Sequence, residues 1–398
     1  MSSRRLRIVL AGGAGAMPFA GVGWQVAQYL EGLRRLGHDV FYLEDTLQWP
    51  YDPVKQTVCD DATAALHYVA AVMRRAGMEG RWAYLDVATG GRVHGVSERR
   101  LHAIMRDAEI LINLSGVMVL REEHLHIPVR VYLETDPVRP QIEVAQGNQR
   151  TIDLLAAHTH HFTYGENFGA ADCGVPLERF DYRPTRPPVI LDWWEGVAPP
   201  AAPDERPFST VANWRQTGKD IHWGGRLLTW SKHVEFERFL SLPSQTELSL
   251  ELALALDDPN VADHLRSFGW RVVPARPLSS DLDAYRNYIL ASAGEFSVAK
   301  EQNVLLRSGW FSDRTATYLA AGRPAIVQDT GFAGALRTGR GLLTFRDIDE
   351  AQRALEEVRA NYLEHCRAAR EIAHDHLRAE AVLARFLDDI LSSAALQL

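Results

Sequence analysis

The sequence predicts an α/β protein of two parallel-sheet domains, on three observations. Short apolar runs bounded by glycine or polar turns alternate with amphipathic helical stretches along the whole chain. At 398 residues the chain exceeds what one hydrophobic core usually supports, so two units of roughly 180 to 200 residues are expected. A proline-rich passage, Arg183-Pro184-Thr185-Arg186-Pro187-Pro188 and then Pro199-Pro200-Ala201-Ala202-Pro203, interrupts the alternation near the middle. The expected division is 1–190 for the first domain, 191–207 for a linker, 208–375 for the second domain and 376–398 for a closing helix.

In the first domain, residues 6–10 read as a buried strand, 12–23 as a glycine-rich loop, 24–36 as an amphipathic helix ended by Gly37, and 39–43 as a second strand. Helical stretches follow at 53–77 and 97–108, the latter opened by a Ser97-Glu98 cap. Three short apolar runs, 110–114, 129–133 and 161–164, are bounded by turn residues and read as strands. Each runs into a polar loop, Ser115-Gly116, Glu134-Thr135-Asp136-Pro137 and Gly165-Glu166-Asn167, and such loops converge on one edge of a parallel sheet. In the second domain, strands are expected at 209–212, 248–254, 270–273, 294–297 and 325–327, and two long helices at 348–367 and 368–393. Residues 301–308 read as a loop.

Composition narrows the class of function. Apolar content of 46% and charged content of 24% are ordinary for a globular protein, and a net charge of −8 without a basic run argues against a nucleic-acid partner. Cys59, Cys173 and Cys366 are odd in number and lack Cys-x-x-Cys spacing, so neither a disulfide framework nor a zinc site is implied and a reducing cytoplasm fits best. No apolar window reaches the ~18 residues of a membrane span.

The most informative stretch runs from Glu295 to Phe332. Ser312 and Asp313 read as the cap of a short helix that Gly322 ends and Pro324 stops; Ala325-Ile326-Val327 follow as a buried strand, and Asp329-Thr330-Gly331 turns the chain. This order resembles the donor half of the two-domain glycosyltransferases of the GT-B fold, in particular the retaining, GT4-like members. Their helix reads roughly Glu-Ala-x-Ala-x-Gly-x-Pro-Val-Ile, and Ser312-Asp313-Arg314-Thr315 here occupies the region of its glutamate. The opening βαβ unit, with Leu33-Arg34-Arg35-Leu36-Gly37-His38-Asp39-Val40 before its second strand, resembles the acceptor half. The resemblance implies two Rossmann-like domains facing across a cleft, with the last helix crossing back to the first.

Further implications follow for the residues. Arg215 and Lys219, after the first strand of the second domain, would grip the donor diphosphate. The free N–H groups of Ser312, Asp313, Arg314 and Thr315 would face a phosphate. Glu295 would face the transferred sugar with Ser297 and Lys300 beside it, and Arg276 would lie in the loop that meets the base. Gly13, Gly15, Gly21, Gly23 and Ser115 are expected on the acceptor side. Asp136, Glu166 and His160, from the cluster His158-Thr159-His160-His161, compete as general base. Each has a plainer alternative, such as Ser312 merely capping a core helix or Glu295 pairing with an arginine. Asp281-x-Asp283 reads as a helix cap, so no metal is expected. The expected activity is metal-independent transfer of a sugar from a nucleotide-diphosphate donor, a co-substrate and not a permanent cofactor, to a small-molecule or glycan acceptor. A nucleotide-sugar 2-epimerase or a non-catalytic scaffold of the same fold stands as the alternative.

Overall fold

A computed structural model describes residues 4–256 and 258–394. The first sheet is centred on Arg7–Ala11, flanked on one side by Asp39–Glu44, Trp82–Asp86 and Arg92–His94, and on the other by Ile110–Leu114, Val129–Glu134, His160–Thr163 and Tyr182–Pro184. All neighbours run parallel except the outermost Trp82–Asp86 and Arg92–His94. The second sheet has six parallel strands: Phe208–Asn213 at the centre, Leu250–Ala255 and Arg271–Pro274 on one side, Gly294–Ser297, Ala325–Gln328 and Leu342–Phe345 on the other. Strand order therefore reverses beside the first strand of each sheet, and ligands of doubly wound sheets bind outside the carboxyl ends at such a reversal. The continuous apolar runs form parallel strands because helices cover both faces; every residue of Ile110–Leu114 and Ala325–Gln328 is buried.

The two domains share an apolar interface. Trp24 of helix Ala20–Arg35 donates from Nε1 to the Leu282 carbonyl at 3.0 Å and packs on Trp194 with ring centroids 4.8 Å apart. Gly21 and Gly23, read from sequence as loop glycines, lie inside this helix, which begins at Ala20. A β-carbon on Gly23 would stand 2.6 Å from Tyr68 Oη and 2.8 Å from Leu282 Cδ2, so this glycine lets the second domain approach. Gly23→Ala is expected to lower stability by about 1–3 kcal/mol, readable as a shifted urea midpoint.

The closing helix, Ala379–Ala394, returns to the first domain and packs Phe386 against Phe162 with the rings tilted and their centroids 4.5 Å apart. Where it crosses, Val189 N–H donates to the Leu377 carbonyl at 2.7 Å and Ala379 N–H to the Val189 carbonyl at 2.9 Å.

Several elements differ from the sequence expectation: the helical stretch read at 53–77 begins only at Thr63, after the hairpin of Tyr51–Asp52 and Thr57–Val58, and Arg92–His94 is an added edge strand. Trp82–Asp86 and Leu342–Phe345 are strands set among polar or glycine-rich neighbours. Tyr182–Pro184 is a sheet-edge strand inside the proline-rich passage, at the kind of edge where proline is tolerated. Part of 301–308, read as loop, is the short helix Glu301–Leu305.

Candidate functional site

The carboxyl ends of the two sheets face each other, and the chemistry-bearing residues gather between them. On the second-domain side, Ser312 Oγ accepts from Arg314 N–H at 3.2 Å and caps helix Asp313–Ala320. Arg314 turns back under the helix instead of toward the cleft. Its Nε donates to Glu295 Oε1 at 2.7 Å, one terminal nitrogen to the Val211 carbonyl at 2.8 Å and the other to Ser297 Oγ at 2.6 Å. Glu295 is wholly buried, and its Oε2 has no hydrogen-bond partner. Arg314 thus ties the two central strands together and holds Glu295 and Ser297 beneath the site. Thr315 is buried in the same first turn and, with Ser297, Ser312 and Trp310, lines a cavity of about 20 Å³. That volume holds about one water molecule.

Three lysines approach from the same side. Lys300 is buried, ion-paired with Asp136 of the first domain, and lies 3.3 Å from the centroid of the Trp230 ring; burial pushes its pKa down to about 8 against the pull of Asp136. Lys219 stands 4.7 Å from the same ring. Lys232 donates to the Val298 carbonyl at 2.8 Å and forms no ion pair among the described residues; burial, then the neighbouring Arg314, holds its pKa well below the usual lysine range. Arg215 is exposed in the same loop as Lys219, and among the described residues neither forms an ion pair. Arg276 is exposed at the start of the short helix Arg276–Ser279, beyond the outer strand of the second sheet.

The first-domain side is built around the loop after Val129–Glu134. The carbonyl of Thr135 accepts from Trp310 Nε1 at 3.0 Å, and Asp136 Oδ1 is buried without a partner. Val138 has φ 97°, a left-handed value that a β-branched residue adopts only under constraint. The constraint is visible: Val138 N–H donates to Gln141 Oε1 at 2.8 Å, and Gln141 Nε2 in turn donates to both oxygens of buried Glu134 at 3.0 and 2.9 Å. Burial raises Glu134 to about 7. Ser115 Oγ contacts Thr135 Oγ1 at 2.7 Å and Gln25 Oε1 at 3.4 Å; Gln25 Nε2 donates to Asp313 Oδ2 at 2.9 Å. Asp313, raised to about 7 by burial, is therefore committed to the domain interface.

The Gly13-to-Gly15 turn is held from below by Glu44, whose carboxylate accepts from Gly15 N–H at 2.8 Å and Ala16 N–H at 2.6 Å. A β-carbon on Gly15 would meet Tyr84 at 2.9 Å and Val69 at 3.0 Å, while one on Gly13 would meet Met17 at 3.2 Å.

Two base candidates lie elsewhere. His160 is the first residue of its strand and so sits at the amino edge, opposite the cleft; Thr159 Oγ1 lies 2.8 Å from its Nδ1. Glu166 is buried against Arg186 and lines a cavity of about 360 Å³ with Arg183, His376 and Phe386, beneath the closing helix. Of the three candidates, Asp136 meets the second domain's cations. Lys232, Trp230 and Trp310 escaped the sequence reading of the site. The hairpin formed by Ile221–Trp223 and Arg226–Leu228 separates Lys219 from Trp230-Ser231-Lys232, so their convergence is invisible along the chain.

No family model and no curated protein matches the sequence. Solved structures do resemble it over nearly its full length. An alpha-glucosyltransferase in complex with UDP and a 13-mer DNA containing a HMU base superposes with a TM-score of 0.58 at 11% identity, covering 98% of this chain and 100% of that one. AviGT4, a glycosyltransferase involved in avilamycin A biosynthesis, gives 0.55 at 12% identity over 98% of both chains. Sucrose-phosphate synthase from Thermosynechococcus elongatus gives 0.55 at 13%, covering 98% of this chain and 100% of that one. With its two doubly wound sheets and returning helix, the chain has the GT-B fold of these glycosyltransferases.

Proposed function

We propose that the protein is a glycosyltransferase that takes a sugar from a nucleotide-diphosphate donor held by the second domain and passes it to an acceptor hydroxyl or amine on the first. The observation that carries this reading is the set of cations at the carboxyl edge of the second sheet, Lys232, Arg215 and Lys219, none of which forms an ion pair among the described residues. Their charge matches a diphosphate leaving group, whose negative charge grows as the glycosidic bond breaks. It does the electrostatic work for which other transferases use a divalent ion, so the reaction is metal-independent. The alpha-glucosyltransferase of the same fold carries UDP, which makes a uridine diphosphate sugar the first donor to test. The free thiols Cys59, Cys173 and Cys366 suit a reducing, cytoplasmic setting.

Asp136 is the acceptor-side group: the constrained turn at Val138 aims it across the cleft, and Lys300 keeps it company until an acceptor hydroxyl arrives. Asp136→Asn is expected to lower kcat by about 10²- to 10⁴-fold while nucleotide affinity stays unchanged. Equal activity in a folded variant would remove Asp136 from the chemistry.

The direct test is a thermal-shift panel with UDP, GDP, ADP, CDP and dTDP, with and without Mg²⁺. A diphosphate at 100 times its Kd stabilises by about 2.7 kcal/mol. A metal-independent shift for one base is the expected result; no shift with any of the five would defeat the donor assignment.

A further inference from the structure

Three loops at the cleft edge of the first sheet each expose large apolar side chains. Phe19 follows Arg7–Ala11; Leu47, Trp49, Val54 and Val58 follow Asp39–Glu44; Val119 follows Ile110–Leu114. Trp49 is 50% exposed and Val54 84%. Folding leaves single apolar residues on any surface, but a group drawn from three loops to one edge is the pattern of a binding surface. The group is built, not frayed. Asp52 Oδ1 accepts from Val54 N–H at 2.8 Å and Lys55 N–H at 3.1 Å to set the turn of the Tyr51–Asp52 and Thr57–Val58 hairpin, and Tyr51 packs on Phe19 with ring centroids 5.8 Å apart. Leu47 is held at φ 57°.

The group is continuous with the Gly13-to-Gly15 turn, since Phe19 opens the helix that follows that turn and Met17 packs against Gly13. The charged residues between Trp49 and helix Thr63–Arg75 are mostly acidic, Asp52, Asp60 and Asp61 against Lys55 alone. An anionic membrane is repelled by such a balance. We propose that the acceptor is an amphiphile without negative charge, whose reacting hydroxyl enters the cleft toward Asp136 while an apolar tail or ring system lies on Phe19, Leu47, Trp49 and Val58. This rests on the acceptor side being where the proposed function puts it, and it names what that side takes.

The test uses the full chain and alkyl β-glucosides of increasing length, methyl, hexyl, octyl and decyl, below their micelle concentrations. Binding is read by tryptophan fluorescence and calorimetry. Affinity is expected to rise about threefold per added methylene over the buried part of the tail, and Trp49→Ala together with Val58→Ser should flatten that dependence. A flat series in the parent protein, or a steep one that the double variant retains, overturns the proposal. So does binding to neutral phosphatidylcholine vesicles in sedimentation, which would make the surface a membrane contact, or a dimer that the double variant dissolves. Diphosphate binding is measured on the same samples: its loss with a steep glucoside series strikes the transferase reading alone, and its presence with a flat series strikes this proposal alone.

Discussion

Replacing Arg314 with alanine is expected to lower folding stability by about 3–5 kcal/mol, because it strands a carboxylate in the interior. Glu295 is wholly buried, and Arg314 is the one cation paired with it among the described residues. A lone ionised carboxylate there has lost water and gained nothing in return. The same guanidinium also bonds the Val211 carbonyl and Ser297 Oγ, so its removal unties the two central strands as well. Urea unfolding with an unchanged slope measures the loss. The paired change Arg314→Met with Glu295→Leu should recover most of it, since apolar replacement of both partners leaves no charge behind. A loss below about 1 kcal/mol in Arg314→Ala would show that Glu295 finds another way to be satisfied.

Lys232→Met is expected to weaken nucleoside-diphosphate binding by about 30- to 150-fold, the equivalent of 2–3 kcal/mol for a charge-assisted bond. Without ligand the same variant should be more stable than the parent. Burial and the adjacent Arg314 hold the folded-state pKa of Lys232 well below 10.5. The buried cation therefore costs stability below its unfolded pKa, most of all at low pH, and the cost disappears once the pH is high enough to leave it neutral in both states. A diphosphate beside Lys232 raises its pKa again, so binding takes up a proton at any pH where the unliganded group is partly neutral. Calorimetry in two buffers of different ionisation enthalpy reads that uptake. Unchanged diphosphate affinity in the variant would remove Lys232 from the donor site.

The central strands are legible in sequence because burial on both faces demands a mostly apolar run, as in Ile110–Leu114 and Ala325–Gln328, each with one polar residue, Asn113 and Gln328. Tyr182–Pro184 is not, because an edge strand needs only one partner and tolerates proline. The capped helix from Asp313 is legible through Ser312 and Gly322, yet the direction of Arg314 is not. Local spacing says where a side chain leaves the helix; which of two neighbouring strands needs its charge is decided by tertiary packing. For the same reason Glu295 reads equally well as a sugar-facing carboxylate and as half of a buried pair, and in the folded chain it is paired with Arg314. Lys300 and Asp136 are each visible in their loops, but only the closure of one domain on the other brings them into an ion pair.

The paired backbone bonds at Val189, Leu377 and Ala379 mean that the chain leaves the first domain and re-enters it at one place. The two bonds tie the outgoing and returning segments to each other, so this short bridge sets both crossings between the domains side by side. It also makes the second domain topologically an insert whose two ends already touch. Such a unit can be exchanged as a cassette, with the closing helix and every strand of the first sheet left in place.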